Sequence, residues 1–425
     1  MIKEFNHVSK LKGVLAIPGD KSISHRSVMF SCMAKGESRV HHFLNSADIQ
    51  STINCFRSMG SEVEEKSDEL IIKGMGFKEF DKPKKFLDAG NSGTTSRLIC
   101  GFLAAQDFET TLIGDESLSQ RPMKRVMEPL RLMGASIVGT ERDTLPLKIS
   151  PVKNLIPINY RLPVASAQVK SCILIAGLHL DEKTQVVEPY ITRNHTENLL
   201  GLDVVSSGDE RTIYVSKKNY PQPNEYFVPS DISTAAFFIV FACLAANAEV
   251  RIKNVLLNKT RSGIIDVLQS MGARIELENL RSMSGEEVGD IIIFNSKLHN
   301  ICIDEKIIPV IVDEIPILSI AGFTAEGNYE IRNAKELRVK ETDRIAAICH
   351  NFRLLGVDVE EWEDGFRLSG EIKNRDVVFE SFGDHRISMA FAVLSMLLDD
   401  GGKVNDFECI NISNPQFLNQ VNSLL

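Results

Sequence analysis

Apolar residues gather along the chain in blocks separated by short polar openings, and one phrase returns six times. A turn of small or charged residues opens a strongly apolar helix. A β-rich segment follows, then an amphipathic helix, a glycine and another strand. The openings fall at Lys21-Ser22, Gly93-Thr94, Ser166-Ala167, Asp231-Ile232, Asp313-Glu314 and Gly383-Asp384, about 65 to 82 residues apart, which is the regularity of a repeat. The second helix of five copies ends in a matching tag: Met59-Gly60-Ser61, Met133-Gly134-Ala135, Leu200-Gly201-Leu202, Met271-Gly272-Ala273 and Leu355-Gly356-Val357. Each tag fits a C-capping glycine followed by a strand. The sixth copy is truncated and ends in Phe417-Leu418-Asn419-Gln420-Val421.

The faces of these helices assign them to layers. Leu98, Ile99, Phe102 and Leu103 form an apolar stripe, and Ala235 to Phe241 is apolar on every side, so the first helices belong at the middle of a domain. The second helices carry charge (Asp48, Gln50 and Arg57; Lys124, Arg125, Glu128 and Arg131) and are expected outside, lining solvent. Six α/β copies predict two domains of three. The proline-dense stretch Pro221-Gln222-Pro223-Asn224, running on through Val228-Pro229-Ser230, is the expected linker. A strand near Val14 to Ile17 is expected to pair with the last repeat and close the second domain onto the chain's start. The domains are then 20–229 and 1–19 with 230–425. Two crossings, near Gly19-Asp20 and near Pro229, make a hinge.

Composition narrows the class. At 425 residues, with 43% apolar and 25% charged side chains, the chain is too long for one ordinary core and reads as globular. The opening Met-Ile-Lys-Glu-Phe-Asn lacks the apolar core of a signal peptide, and the longest apolar run, Ala235 to Ala246, is too short to span a bilayer. The eight cysteines contain no C-x-x-C pair, a reduced, cytoplasmic pattern without a metal site. A net charge of −9 argues against a general nucleic-acid binder but leaves room for a local basic pocket.

Candidate chemistry sits at the repeat openings. Pro18-Gly19-Asp20 is a turn, and Lys21, Ser22, Ser24, His25 and Arg26 follow on the first turns of a helix. Free backbone N–H groups and the helix dipole favour an anion there; a well-capped, solvated helix start is the alternative. Gly90-Asn91-Ser92-Gly93-Thr94 leaves amides open, with Arg97 one turn on, yet lacks the lysine of a Walker loop. Arg121, Ser166, Gln168 and Arg193 each stand in or beside such an opening. Ser166 and Gln168 suit either a polyol or a cap, and capping is the commoner outcome. Asp313 and Glu314 place two carboxylates at a helix start, where a carboxylate is usually a cap. Arg338 to Arg344 packs five charges into seven residues, and Gly383-Asp384-His385-Arg386 repeats the theme of a helix start with an arginine.

The segments P-G-D-K-S-I-S-H-R (18–26), G-N-S-G-T-T-x-R (90–97), Q-R-P-M (120–123), L-R-V-K-E-T-D-R (337–344) and G-D-H-R (383–386) resemble the 5-enolpyruvylshikimate-3-phosphate synthase family. The resemblance runs through all six repeats. It implies an α/β fold of two domains, each of three βαβαββ-type repeats (an inverse α/β barrel), closing on substrate. It also implies transfer of the enolpyruvyl group of phosphoenolpyruvate to the 5-hydroxyl of shikimate 3-phosphate, with release of phosphate. Carried over, Lys21, Ser22, Arg26, Ser166, Gln168 and Arg193 hold shikimate 3-phosphate. Lys21, Asn91, Gly93, Thr94, Arg121, Arg344 and Arg386 meet phosphoenolpyruvate. Asp313 is the base at the 5-hydroxyl, and Glu341 carries the proton to the methylene carbon, with Lys21 and Lys340 assisting. The implied partners are these two small molecules, with no cofactor, no metal, no nucleic acid and no membrane, and the enzyme is expected to be a cytoplasmic monomer.

Three positions depart from the common family pattern. Ala167 replaces a frequent second serine, Glu336 a frequent asparagine, and no lysine shortly precedes Pro415. Two rival readings are weaker. UDP-N-acetylglucosamine enolpyruvyl transferase lacks the D-K-S-x-S-H-R opening and carries a loop cysteine that has no counterpart near Arg121. A non-catalytic repeat scaffold would show neutral openings, whereas at least five openings here carry charge or anion-loop chemistry.

Overall fold

The computed structural model describes residues 1–208 and 210–425. The chain divides into two compact units. The first is Gly19–Pro229 with Ser282–Glu286; the second is Met1–Pro18, Ser230–Arg281 and Glu287–Leu425. Each holds three repeats. Ser282–Glu286, which the sequence pattern assigns to the second domain, is the tip of a hairpin and belongs to the first unit.

The inner helices start where the openings predict. In the first unit they are Lys21–Met33, Gly93–Leu103 and Ala167–Gly177; in the second, Ile232–Leu244, Ile315–Thr324 and His385–Leu397. Ile232–Leu244 is buried along nearly its whole length, as a helix without a polar face must be. One continuous apolar cluster around Phe237, Ile317, Phe352 and Phe391 forms the second unit's core. The outer helices Ala47–Arg57, Lys124–Leu132, Gly263–Ser270 and Arg344–Leu354 lead into the tag glycines, as does the short His195–Leu200. Gly60, Gly134, Gly201, Gly272 and Gly356 all have positive φ, the conformation that ends a helix and turns the chain into a strand.

Five sheets follow one rule, with a parallel edge strand beside a central strand and then antiparallel pairing. Thus Leu87–Asp88 lies parallel to Thr110–Ile113, which pairs with Leu147–Ser150 and then Ser136–Val138. The fifth repeat's sheet, Tyr329–Ile331, Gly365–Ser369 and Asp358–Trp362, is antiparallel throughout. Each unit borrows its missing edge. Glu225–Phe227, inside the expected linker, runs parallel to Gly36–His41 in the first repeat's sheet, so within that linker the crossing falls at Pro229–Ser230, and the other expected crossing falls at Pro18–Gly19. The N-terminus serves the second unit twice. Lys10–Leu15 pairs in parallel with Asn247–Leu256 of the fourth repeat, and Lys3–Phe5 pairs antiparallel with Gly402–Asn405 of the sixth. The strand expected on the last repeat therefore goes to the fourth, and a shorter strand before it takes the last. The truncated sixth repeat has no second hairpin of its own and needs that strand.

Helix-to-helix contact in the first unit is tightest between Gly93–Leu103 and Ala167–Gly177. A Cβ on Gly101 would stand 2.1 Å from the Cys172 carbonyl oxygen, a backbone atom that cannot turn aside. Gly101→Ala is expected to lower unfolding free energy by about 1–3 kcal/mol or more through overpacking. A urea melt checks this, and an unchanged midpoint contradicts the close approach.

Candidate active site

In the first unit the predicted residues collect at the N-terminal ends of the inner helices. Asp20 caps the first helix, its Oδ1 accepting from the Ile23 N–H at 2.8 Å. The Lys21 ammonium pairs with the Asp48 carboxylate. Arg26, 3% exposed, donates from Nε to Thr196 Oγ1 at 2.8 Å, from one terminal nitrogen to Ser171 Oγ at 2.8 Å and from the other to the Ser22 carbonyl at 2.9 Å. Burial lowers its pKa to about 10, with Glu197 opposing the shift, so it stays a cation at neutral pH. It ties the first helix to the third.

A buried chain of hydroxyls joins the Lys21 helix to the glycine loop. His25 Nδ1 lies 2.7 Å from Thr52 Oγ1, Thr52 Oγ1 lies 2.7 Å from Thr95 Oγ1, and Thr95 Oγ1 donates to Ser92 Oγ at 2.8 Å. Burial pushes the His25 imidazole down to about 3, so this chain is neutral. On the loop, Asn91 Nδ2 donates to Asp115 Oδ2 at 2.6 Å and Arg121 donates to Asn91 Oδ1 at 3.3 Å. Gln168 accepts from Arg97 at 2.7 Å and donates to Thr94 Oγ1 at 3.2 Å, which brings three predicted positions together. Ser166 takes the capping role, accepting from Val169 N–H at 3.4 Å. Arg193 stands in the loop before His195–Leu200. Its neighbour Thr192 donates its N–H to Glu188 at 2.7 Å, and Lys170 clamps Glu188 at 2.9 Å and Glu197 at 2.7 Å.

In the second unit the candidates converge on one guanidinium. Arg344, 1% exposed, donates to Asp384 Oδ2 at 2.8 Å, to Glu341 Oε2 at 2.7 Å and to Asp313 Oδ1 at 3.4 Å. Its pKa rises well above the usual range: burial opposes this, and Asp384, Glu341 and Asp313 outweigh burial. Asp313 also has Lys340 Nζ at 3.7 Å and Arg386 at 3.8 Å, and Arg386 donates to its backbone carbonyl at 2.9 Å. Glu314 occupies the cap position of the helix that follows, and its side chain makes no capping bond. Glu341 keeps 32% of its side chain open. Burial would raise its pKa, but Arg344, with His385 and Lys340, holds it well below the usual carboxylate range. Burial lowers the neighbouring His385 to about 4. Glu336, at the departing position, accepts from Lys340 at 3.0 Å. Arg338 is a structural residue, bonded to Asp343 at 2.9 Å and Glu361 at 3.0 Å.

Several site residues escape sequence reasoning. Asp48, read as part of a solvated face, is buried against Lys21; its helix turns that one carboxylate inward because the ammonium is there. Asp384 is both cap and counter-ion, its Oδ1 accepting from Arg386 N–H at 2.8 Å, and its place in the G-D-H-R segment was an available signal. Lys170 and Glu188 stand singly beside apolar residues and gave none, and Glu197 lies in the polar stretch Thr192 to Asn198, where nothing local pairs it with Lys170. Among the described residues, no three His, Cys, Asp or Glu side chains are arranged to hold a metal, and no single helix is long and apolar enough to cross a membrane.

A fold of two three-repeat units, with cations and carboxylates at the helix starts, defines an enolpyruvyl-transferase architecture. The enolpyruvyl transferase NikO from Streptomyces tendae matches it with a TM-score of 0.75 over 100% of this chain and 97% of that one, at 14% identity, a likeness of fold alone. EPSP synthase from Acinetobacter baumannii superposes with a TM-score of 0.89 at 40% identity, covering 100% of this chain and 98% of its own. The 3-phosphoshikimate 1-carboxyvinyltransferase of Oceanobacillus iheyensis is 46% identical over 419 residues, 98% of this chain and 97% of that protein. Residues 5–421 match the EPSP synthase (3-phosphoshikimate 1-carboxyvinyltransferase) family, and the chain belongs to that family.

The depressed pKa of Glu341 has a consequence for stability. A carboxylate stabilised in the folded state contributes fully above its unfolded pKa, here 4.5, and loses that contribution as pH falls toward its lower folded value. Glu341→Gln is therefore expected to flatten the loss of stability between about pH 6 and about pH 3. Urea midpoints at the two pH values check it; equal slopes for both proteins would mean that Arg344 does not stabilise the Glu341 carboxylate.

Proposed function

We propose that this enzyme transfers the enolpyruvyl group of phosphoenolpyruvate to the 5-hydroxyl of shikimate 3-phosphate and releases phosphate. The observation that carries the mechanism is that Asp313 and Glu341 hang on the same buried guanidinium, Arg344. The reaction needs a proton removed from the attacking hydroxyl and a proton delivered to the methylene carbon, and the later elimination reverses both transfers. Asp313 is assigned as the base and Glu341 as the proton carrier, with Lys21 and Lys340 assisting.

The remaining assignments follow the chemistry of each group. Ser22, Arg26, Ser166, Gln168 and Arg193, with Lys21, recognise shikimate 3-phosphate: hydroxyl and amide donors suit a polyol, and guanidinium forks suit its phosphate and carboxylate. Asn91, Gly93, Thr94 and Arg121, with Lys21, Arg344 and Arg386, recognise phosphoenolpyruvate. The geometry of the free protein supports a further step. Glu341 is ionised while Arg344 is its partner. A substrate carboxylate that engages Arg344 competes for its charge, which raises the proton affinity of Glu341 and loads the acid. The enzyme works in the cytoplasm, a reading that free, mostly buried cysteines support, and as a monomer.

Four measurements test these assignments. Phosphate release with phosphoenolpyruvate should require shikimate 3-phosphate; turnover with UDP-N-acetylglucosamine in its place would overturn the acceptor. Asp313→Asn and Glu341→Gln should each lower kcat by roughly 10²–10⁴. In heavy water, deuterium should enter the enolpyruvyl methylene group, and Glu341→Gln should slow that exchange. Normal exchange in the variant would pass the role to another residue, Lys21 first. Gly93→Ala places a methyl group 3.0 Å from an Arg97 nitrogen and 3.6 Å from an Arg121 nitrogen. It should raise the KM for phosphoenolpyruvate and leave shikimate 3-phosphate affinity nearly intact, whereas equal losses would argue for general damage.

A further inference from the structure

We infer that Glu314 is a positioning residue for phosphoenolpyruvate, fixing the Arg386 guanidinium through a relay that runs from Arg261 through Ser233. The inference rests on the assignment of Arg386 to that substrate. Glu314 is 1% exposed; it acts through what it holds. Its Oε1 accepts the Ser233 hydroxyl and stands 3.7 Å from an Arg386 terminal nitrogen. Ser233 Oγ accepts from Arg261 at 2.6 Å. Arg261, itself 2% exposed, reaches Asp231 Oδ1 at 3.4 Å, and that oxygen also accepts the Ser233 N–H at 2.7 Å. The starts of all three inner helices of the second unit are thereby joined: Asp231 and Ser233 on one, Asp313 and Glu314 on the next, Arg386 on the last.

The arrangement limits what Arg386 can do. Its bond to the Asp313 carbonyl, 2.9 Å, fixes one terminal nitrogen, and Glu314 Oε1 stands 3.7 Å from that same nitrogen. The second terminal nitrogen faces the Asp313 carboxylate at 3.8 Å. A guanidinium aimed in advance binds an anion without first losing its freedom. The hydrogen bond from Ser233 holds the Glu314 side chain in place beside Arg386. Asp313 already balances Arg386, and burial, opposed by Arg386 and Arg261, raises the Glu314 pKa, so a neutral amide of the same shape keeps the relay.

Kinetics of Glu314→Ala, Glu314→Gln, Arg386→Ala and the Glu314→Ala/Arg386→Ala pair test this, with thermal melts alongside. Glu314→Ala should raise the KM for phosphoenolpyruvate about tenfold or more, with shikimate 3-phosphate affinity changed less than about twofold. Glu314→Gln should recover most of that loss. In the Arg386→Ala background, Glu314→Ala should cost almost nothing further, because its effect passes through the missing arginine. Additive losses, equal losses for both substrates, or a Glu314→Ala enzyme with unchanged phosphoenolpyruvate KM would overturn the inference. If Arg386→Ala itself leaves that KM unchanged, the assignment of Arg386 has failed and the inference falls with it. That outcome is read from Arg386→Ala alone.

Discussion

The constraint on which this protein depends is the burial of six helices along most of their length. Such a helix leaves its first N–H groups without partners inside a core, and they must be answered by side chains. Five inner helices are answered from the residue before them. Asp20, Ser92, Ser166, Asp231 and Asp384 each accept a backbone N–H. The sixth, Ile315–Thr324, has Pro316 in its first turn, which lacks an N–H and removes one donor from the demand. Its carboxylates are therefore released from capping. Asp313 turns to three cations and Glu314 to Ser233, so the inner helix whose cap-position side chain makes no capping bond is the one that supplies the proposed base.

Collecting charge at buried helix starts has a cost that the pairing must offset. Removing one partner of a buried ion pair typically destabilises by about 3–5 kcal/mol, because the other charge is left unanswered. Arg344 has three carboxylates and Lys170 has two, so in each cluster the cation is oversupplied with anions. For Lys170 this makes a closed structural clamp. For Arg344 it leaves Glu341 partly exposed on an ion pair that an incoming anion can contest. The same physics serves rigidity in one unit and responsiveness in the other.

What the sequence makes legible follows from how local its causes are. Helix openings, C-terminal glycines and six-fold recurrence are read within a few residues of one another, and the helix starts fall where Lys21, Gly93, Ile232 and His385 mark them. Pairings across repeats are not local. Asp48 looks solvated because nothing near it in sequence carries Lys21, and the short strand Lys3–Phe5 shows no alternation long enough to identify it. Glu225–Phe227 hides among prolines because an edge strand tolerates them. Glu314 was visible but took second place to Asp313, since only burial against Ser233 separates their roles.

The two units reach their helix starts with different chemistry, and the difference fits the division of labour proposed for them. In the first, the charges are locked in closed pairs, Lys170 with Glu188 and Glu197, and the path from the Lys21 helix to the glycine loop is neutral: a histidine held uncharged by burial, three hydroxyls in series, and an amide shared between Arg97 and Thr94. Such groups hold position and donate or accept hydrogen bonds without changing charge across the ordinary pH range, which suits recognition of a hydroxylated ring. In the second, the corresponding places are filled by carboxylates balanced on guanidinium groups. There, displacing one anion shifts the proton affinity of the next. An enzyme that must hold one substrate still and move protons on the other needs both kinds of interior, and a duplicated fold lets each evolve on its own three helix starts.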